Sequence, residues 1–271
     1  MRYRLGLLGL GIQNSLSPAL HQAAARSCGL EVDYELIDVD HERLTDVADH
    51  LKRGRWHGLN VTAPYKHWAF KLVSERGQHA AELHSVNTIS RAPHGPLRGL
   101  NTDWFGIEGL LANVPHGGVL ILGSGRMAES CLAWLLANGH CGVTVAHRSL
   151  NRFIELQNRA PDQVRSAHYD ELKHSLAEYQ TVINCLPRQC YTMLDTWQWN
   201  YAGGEGAFID LNYGRSTDRF LSGIDGLGRS VCDGVDALIE QGIESFYHWT
   251  GHRPSREPVM HAVKKASLSI R

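Results

Sequence analysis

The sequence predicts an α/β protein made of two α/β units, and three observations carry that prediction. Segments of strand character alternate with segments of helical character along the chain. A compact apolar run, Val119-Leu-Ile-Leu, is followed at once by Gly123-Ser-Gly-Arg-Met-Ala, so a second unit opens near residue 117. The length, 271 residues, suits one large domain or two modest ones.

Residues 3–10 read as the first strand. A helix follows over Pro18–Cys28, with Ser17 as N-cap, Pro18 at the first helical position and Gly29 closing it. Tyr34–Val39 is a second strand, residues 41–53 an amphipathic helix and 58–63 a third strand, in a sheet expected to be largely parallel. Ala92-Pro-His-Gly-Pro is a turn-rich hairpin leading to 99–103. In the second unit, 126–138 suits a helix ending at Gly139, and Val143-Thr-Val-Ala a strand. Further strands are expected at 181–186 and 206–211, and last helices near 235–249 and 257–268. The chain is thus expected to return to its first domain, giving residues 1–102 with 236–271 and residues 103–235 as two domains, with a cleft between them.

Composition narrows the function classes. A net charge of −1 argues against broad attraction to nucleic acid or membrane. No apolar run approaches the roughly 20 residues of a membrane span. The glycine-punctuated N-terminus reads as a core strand rather than a signal peptide, so a cytoplasmic location is expected. Six cysteines form no CxxC pair, as reduced core thiols do, and the histidines show no HExxH spacing, so no metal is expected.

Gly123 and Gly125 let the backbone turn tightly against a pyrophosphate, and the following helix N-terminus supplies N–H donors. Ala128 stands where the third glycine of the fingerprint would be. The next strand ends Ala146-His-Arg-Ser-Leu-Asn-Arg with no carboxylate for ribose hydroxyls. Arg148 and Arg152 suit a 2′-phosphate instead, and Ser149 adds a donor, so NADP(H) is expected over NAD(H).

Lys66 follows a short buried run broken by Pro64, and Asp103 lies in Gly99-Leu-Asn-Thr-Asp. A dinucleotide cradle with a Lys/Asp pair suggests hydride transfer at a carbon bearing oxygen. Ser15 and Ser17, two hydroxyls at a helix start, suit a carboxylate. Asn60, Thr62, Asn87 and Asn101 supply neutral donors and acceptors for a polyhydroxylated ring.

These segments together resemble the shikimate/quinate dehydrogenase family over almost the full length. The matching runs are Ser15-Leu-Ser-Pro-Ala-Leu-His, Asn60-Val-Thr-Ala-Pro-Tyr-Lys, Ser85-Val-Asn-Thr-Ile, Gly99-Leu-Asn-Thr-Asp-Trp-Phe-Gly, Leu122-Gly-Ser-Gly and Gln241-Gly-Ile-Glu-Ser-Phe-Tyr-His-Trp-Thr-Gly. The resemblance implies an N-terminal α/β substrate domain plus a Rossmann-like NADP-binding domain, with C-terminal helices returning to the substrate domain. It implies reversible NADPH-linked reduction of 3-dehydroshikimate to shikimate, a step toward aromatic amino acids, in a monomer or homodimer. Lys66 and Asp103 become the catalytic pair. Ser15 and Ser17 are assigned to the substrate carboxylate, and Thr62, Asn87 and Gln241 to ring hydroxyls or nearby contacts. Tyr213 becomes a substrate neighbour. The cofactor segments are Gly123, Ser124, Gly125, Arg126, Met127 and Ala128, then His147, Arg148, Ser149 and Arg152, with Leu211 and Gly234.

The chain departs from the family pattern near the site. The family often has Asn-Pro-Ile-x-His before the serines; here it is Leu10-Gly-Ile-Gln-Asn. Arg126-Met127 stands where small residues are usual. Cys185-Leu-Pro-Arg-Gln replaces an Ala-Thr-Ser/Pro pattern, and Gly214-Arg215 follows Tyr213 in place of Asn-Pro. Two other readings therefore stay open: the same chemistry on quinate or another hydroxylated cyclohexane or cyclohexene carboxylate, and a non-catalytic sensor of NADP and a ring acid.

Overall fold

The structure is a computed structural model. It describes residues 2–91, 95–148, 150–157, 162–172, 176, 178–197, 199, 206–225 and 230–268, without the side chains at 151, 152, 155, 156, 215 and 216. The chain divides into two compact units, residues 1–106 with 238–270 and residues 107–237.

The first unit holds strands β1 (Arg2–Gly9), β2 (Glu31–Asp38), β3 (Gly58–Val61), β4 (Glu75–Arg76), β5 (Thr88–Arg91) and β6 (Leu97–Leu100). They form one sheet in the order β2-β1-β3-β5-β6-β4. Helices α1 (Ser17–Ser27), α2 (Leu44–Lys52), α3 (Lys66–Leu72) and α4 (Gln78–Leu83) belong to this unit. The sheet is less parallel than the sequence suggested. β1 is parallel to β2 and β3, but β5 runs antiparallel to both β3 and β6. The short 92–96 connection makes the β5–β6 pair antiparallel, since a parallel pair needs a much longer crossover.

A second difference lies at the start of α1. The N-cap is Leu16, and Ser17 is already helical. The Ser15 hydroxyl does the local work, accepting the Ser17 N–H at 3.2 Å. The core is built from alternate strand residues and helix faces, with Leu8, Leu51, Leu59, Val61, Ala69, Val86 and Ile89 in one cluster.

The second unit holds strands β7 (Val119–Leu122), β8 (Val143–His147), β9 (Val164–His168), β10 (Thr181–Asn184), β11 (Ala207–Asp210) and β12 (Ser230–Cys232). Their order is β12-β11-β10-β7-β8-β9, and every pairing is parallel. This is the doubly wound dinucleotide-binding order, with its reversal between β7 and β10. Ligands of such sheets bind at the carboxyl ends of the strands at that reversal. All four residues of β7 are buried, as a central parallel strand covered on both faces requires.

Helix α5 (Asp103–Leu111) leads out of the first unit, and α6 (Arg126–Ala137) follows β7. Then come α7 (Leu150–Gln157), α8 (Tyr169–Leu172), α9 (Tyr191–Leu194) and α10 (Arg215–Asp225). The chain re-enters the first unit through α11 (Val235–Thr250) and ends in α12 (Arg256–Ser267), which packs on α1. Among the described residues no helix is long and apolar enough to cross a membrane.

Candidate active site

In the first unit the sequence-distant Lys66 and Asp103 meet. Lys66 opens α3, just after the cis Ala63–Pro64 peptide, and Asp103 opens α5. Lys66 Nζ donates to Asp103 Oδ2 at 2.7 Å, with side chains only 20% and 15% exposed. The other carboxylate oxygen, Oδ1, accepts from Asn87 Nδ2 at 2.8 Å. The Asn87 amide has one allowed orientation. The Thr102 backbone N–H donates to Asn87 Oδ1 at 2.7 Å, so the NH₂ must face Asp103. That NH₂ also lies 3.5 Å from Gln241 Oε1, and Gln241 is itself tied to Leu238 O at 2.9 Å.

Beneath these groups lies a buried hydroxyl cluster that sequence reasoning missed. Ser245 Oγ lies 2.8 Å from Thr88 Oγ1 and 2.9 Å from Thr102 Oγ1, and it donates to Gln241 O at 2.9 Å. Asn60 Nδ2 donates to Ser245 Oγ at 3.0 Å, while Asn60 Oδ1 accepts from Tyr34 OH at 2.8 Å and His21 Nε2 at 3.0 Å. The amide of Asn60 is thus spent on protein groups, and Asn101 Nδ2 likewise donates to Ser85 O at 3.1 Å. Asn60 braces the site rather than facing a ring, whereas Asn101 Oδ1 is buried with no partner among the described residues. Thr88, Thr102, Ser245 and His21 all stand inside the matching runs, and His21 lies four residues past Ser17 on the same helix face, but nothing in those runs shows that they meet.

Burial pushes the His21 imidazole down to about 3, partly opposed by its bond to Asn60. His21 is therefore neutral, donating from Nε2 and stacked on Tyr34 at 4.5 Å. The unfolded chain binds this proton near 6.5 and the folded chain does not, so stability falls as pH drops from about 6.5 toward about 3. Between about pH 7 and about pH 5 the contribution is about 2 kcal/mol. His21→Phe is expected to flatten the pH dependence of urea unfolding by that amount. An unchanged slope would contradict a neutral buried His21.

Ser15 is half-buried and Ser17 buried, with Ser15 Oγ donating to Ser17 Oγ at 3.2 Å. Thr62 is half-buried after β3, its N–H donating to Leu8 O at 2.9 Å. Asn14, the departure beside the serines, is exposed.

The second unit carries the cofactor residues. Gly123 follows β7 at φ +106°, and a side chain there would press on Leu186, in the segment after β10. Gly125 is the N-cap of α6 with no capping side chain, and a Cβ there would enter open space. The first-turn N–H groups therefore remain for an anion. Arg126 is exposed and paired with Glu129 at 3.0 Å, Ser124 and Met127 are half-buried, and Ala128 is buried in the helix–strand contact. His147 ends β8 and is buried on Phe153, with neither ring nitrogen partnered among the described residues. Burial lowers its pKa, so it remains a neutral donor and acceptor. Arg148 beside it is exposed. Ser149 and the Arg152 side chain lie outside the described residues.

Gly234 N–H donates to Asn212 O at 2.8 Å, which brings Gly234 against Leu211. Asp210 fixes that segment. Its buried carboxylate accepts from Asn184 Nδ2, Tyr191 OH and the Asn212 N–H and NH₂ at 2.8–2.9 Å, while burial raises its pKa. Tyr213 follows, with the Arg188 guanidinium 5.6 Å over its ring. At the sheet's reversal point, a glycine turn, a helix start with no capping side chain and an imidazole unpartnered among the described residues fit a dinucleotide phosphate. Among the described residues no cluster of three or more His, Cys, Asp or Glu side chains is placed to hold a metal.

Family models match along the chain in order. Residues 7–89 match the shikimate dehydrogenase substrate binding domain, 109–218 the shikimate/quinate 5-dehydrogenase model, and 234–264 the shikimate 5′-dehydrogenase C-terminal domain. A shikimate dehydrogenase (NADP(+)) of Cellvibrio japonicus is 30% identical, covering 96% of both chains. The chain belongs to the shikimate dehydrogenase family. Two solved members of that family share its fold. A shikimate 5-dehydrogenase from Thermus thermophilus in complex with NADP(H) and shikimate matches at TM-score 0.78 and 28% identity, covering 97% of this chain and 99% of that one. A shikimate dehydrogenase in complex with NADP+ matches at TM-score 0.84 and 26% identity, covering 98% and 96%. The shikimate dehydrogenase family thus spans both units.

Proposed function

We propose that this chain catalyses the NADP-dependent, reversible reduction of 3-dehydroshikimate to shikimate in the cytoplasm. The observation that carries the reading is the Lys66–Asp103 pair at 2.7 Å, with the second carboxylate oxygen locked by Asn87. Reduction needs hydride at carbon and a proton at oxygen. Bound NADPH supplies the hydride. Lys66 holds the proton at Nζ and gives it to the substrate oxygen, and in reverse the neutral amine takes the alcohol proton. Asp103 keeps Nζ in one place and accepts a bond from the same hydroxyl. Ser15 and Ser17 take the ring carboxylate at the start of α1, and Thr62, Asn87 and Gln241 meet ring hydroxyls, with Tyr213 a further neighbour. The Gly123–Ala128 turn takes the pyrophosphate, His147, Arg148, Ser149 and Arg152 the 2′-phosphate side, and Leu211 and Gly234 the nicotinamide side.

The exposed Asn14, where the family often has histidine, favours a second reading in which the ring acid is quinate or a related carboxylate. A kcat/KM panel of shikimate and quinate with NADP+ and NAD+ separates these. Shikimate with NADP+ is expected to be best, with NADP+ favoured over NAD+ by about 10-fold or more, the worth of one charge-assisted hydrogen bond. Arg148→Ala is expected to narrow that preference. Equal efficiency with NAD+ would overturn the NADP assignment, and a higher value for quinate the choice of ring acid.

A further inference from the structure

A carboxylate outside the proposed catalytic and binding groups holds the loop that leads to Ser15 and Ser17. After β1 the chain reaches Ser15 through Leu10-Gly-Ile-Gln-Asn. Gly11 sits at φ +69°, a left-handed conformation that proline cannot adopt and other residues seldom do. This turn aims two consecutive backbone N–H groups at the last residue of β2. Gly11 N–H donates to Asp38 Oδ1 at 2.8 Å, and Ile12 N–H to Asp38 Oδ2 at 3.2 Å. Each carboxylate oxygen therefore holds one amide, and the β1–β2 register, with Gly9 opposite Asp38, brings the carboxylate there.

The bonding continues toward the serines. Ile12 O accepts the Ser15 N–H at 2.9 Å, and Ser15 Oγ accepts the Ser17 N–H at 3.2 Å. Ile12 also closes over Gly9 beside Thr62. A Cβ on Gly9 would stand 2.5 Å from the Ile12 methyl and 2.6 Å from the Thr62 methyl. The loop is thus fastened at Asp38 on one side and against Thr62 on the other. Where the family often carries Asn-Pro, a proline at 11 would offer no N–H. The glycine here restores that donor, and Asp38 takes it.

We propose that Asp38 is a positioning residue for the ring-acid carboxylate site, holding the Gly11–Ile12 peptide so that Ser15 and Ser17 present their hydroxyls in register. The proposal rests on the reading that these serines receive the ring carboxylate. Asp38 is not among the residues proposed to meet the ring acid or the cofactor; its carboxylate holds backbone N–H groups. It acts through the peptide it holds, each of its oxygens accepting one charge-assisted bond from a backbone N–H.

The test uses Asp38→Ala and Asp38→Asn in the full chain. It reads the shikimate Kd without cofactor, the steady-state constants, the NADP+ Kd and the melting temperature. Asp38→Ala is expected to raise the shikimate Kd and KM about 10-fold, with kcat within about threefold and NADP+ Kd unchanged. Asp38→Asn keeps one acceptor oxygen and is expected to fall between; it carries the test if the alanine variant does not fold. Unchanged shikimate Kd and KM in an active protein overturn this inference alone. A common fall in kcat, NADP+ affinity and melting temperature, without a selective rise in shikimate KM, also overturns it and makes Asp38 merely structural. An unsubstituted protein that binds no ring acid overturns both this inference and the functional reading beneath it.

Discussion

Replacing Lys66 with alanine is expected to lower kcat by about 100- to 10,000-fold, the usual worth of a positioned general acid or base. The NADP+ Kd should change little, because a general acid or base acts on the ring acid's oxygen rather than on the cofactor. The fall should be in kcat rather than KM alone, because proton transfer is made only in the transition state. Lys66→Arg should not rescue activity. A guanidinium keeps the charge but does not give up its proton near neutral pH. Near-normal turnover of either variant would remove Lys66 from the chemistry.

Asp103→Asn is expected to be nearly as damaging, about 1000-fold in kcat/KM, although the side chains have the same shape. The reason is the donor pattern around the carboxylate. Oδ2 faces the Lys66 ammonium and Oδ1 faces the Asn87 NH₂, both donors. An asparagine has one oxygen and one NH₂, so whichever way it turns, one donor meets another. Asn87 cannot flip to relieve the conflict, because the Thr102 N–H holds its oxygen at 2.7 Å. The double variant Asp103→Asn with Asn87→Asp restores an acceptor opposite the new NH₂ and keeps an oxygen for the Thr102 N–H, at the cost of setting the second carboxylate oxygen 3.5 Å from the Gln241 Oε1 acceptor. Recovery there of part of the loss would support the donor count. Full activity in Asp103→Asn alone would contradict it.

Much of the fold was legible because its signals are local. Val119-Leu-Ile-Leu followed by Gly123-Ser-Gly has few conformational options, and it became β7, the turn and α6. The direction of β5 was not legible. Thr88–Arg91 has the composition of a strand in either orientation, and only its short link to β6 decides. Within the site, Lys66 and Asp103 stood out through their motifs, and the structure brings them together. Asn60 stood in the same motif, yet its amide is turned inward onto Ser245, Tyr34 and His21. No local pattern marks that difference, because the partners lie 185, 26 and 39 residues away in the chain. Ser245 and Asp38 were hidden for the same reason. A serine inside a helix and an aspartate at a strand end are ordinary until the backbone groups they face are known. The cap of α1 was off by one residue because two serines competed for it, and Ser15, held by the turn from Ile12, is the one whose oxygen reaches the Ser17 N–H.

Under the proposed function, Lys66 and Asp103 serve a hydride transfer between NADP and a ring acid. The most direct test mixes the purified protein with NADP+ and shikimate in a stopped-flow instrument and follows the absorbance of reduced nicotinamide over a single turnover. A rise equivalent to the enzyme concentration, almost abolished on the same timescale by Lys66→Ala, is the predicted result. A flat trace from the unsubstituted protein, with both ligands shown to be bound, would contradict the claim and favour a sensor.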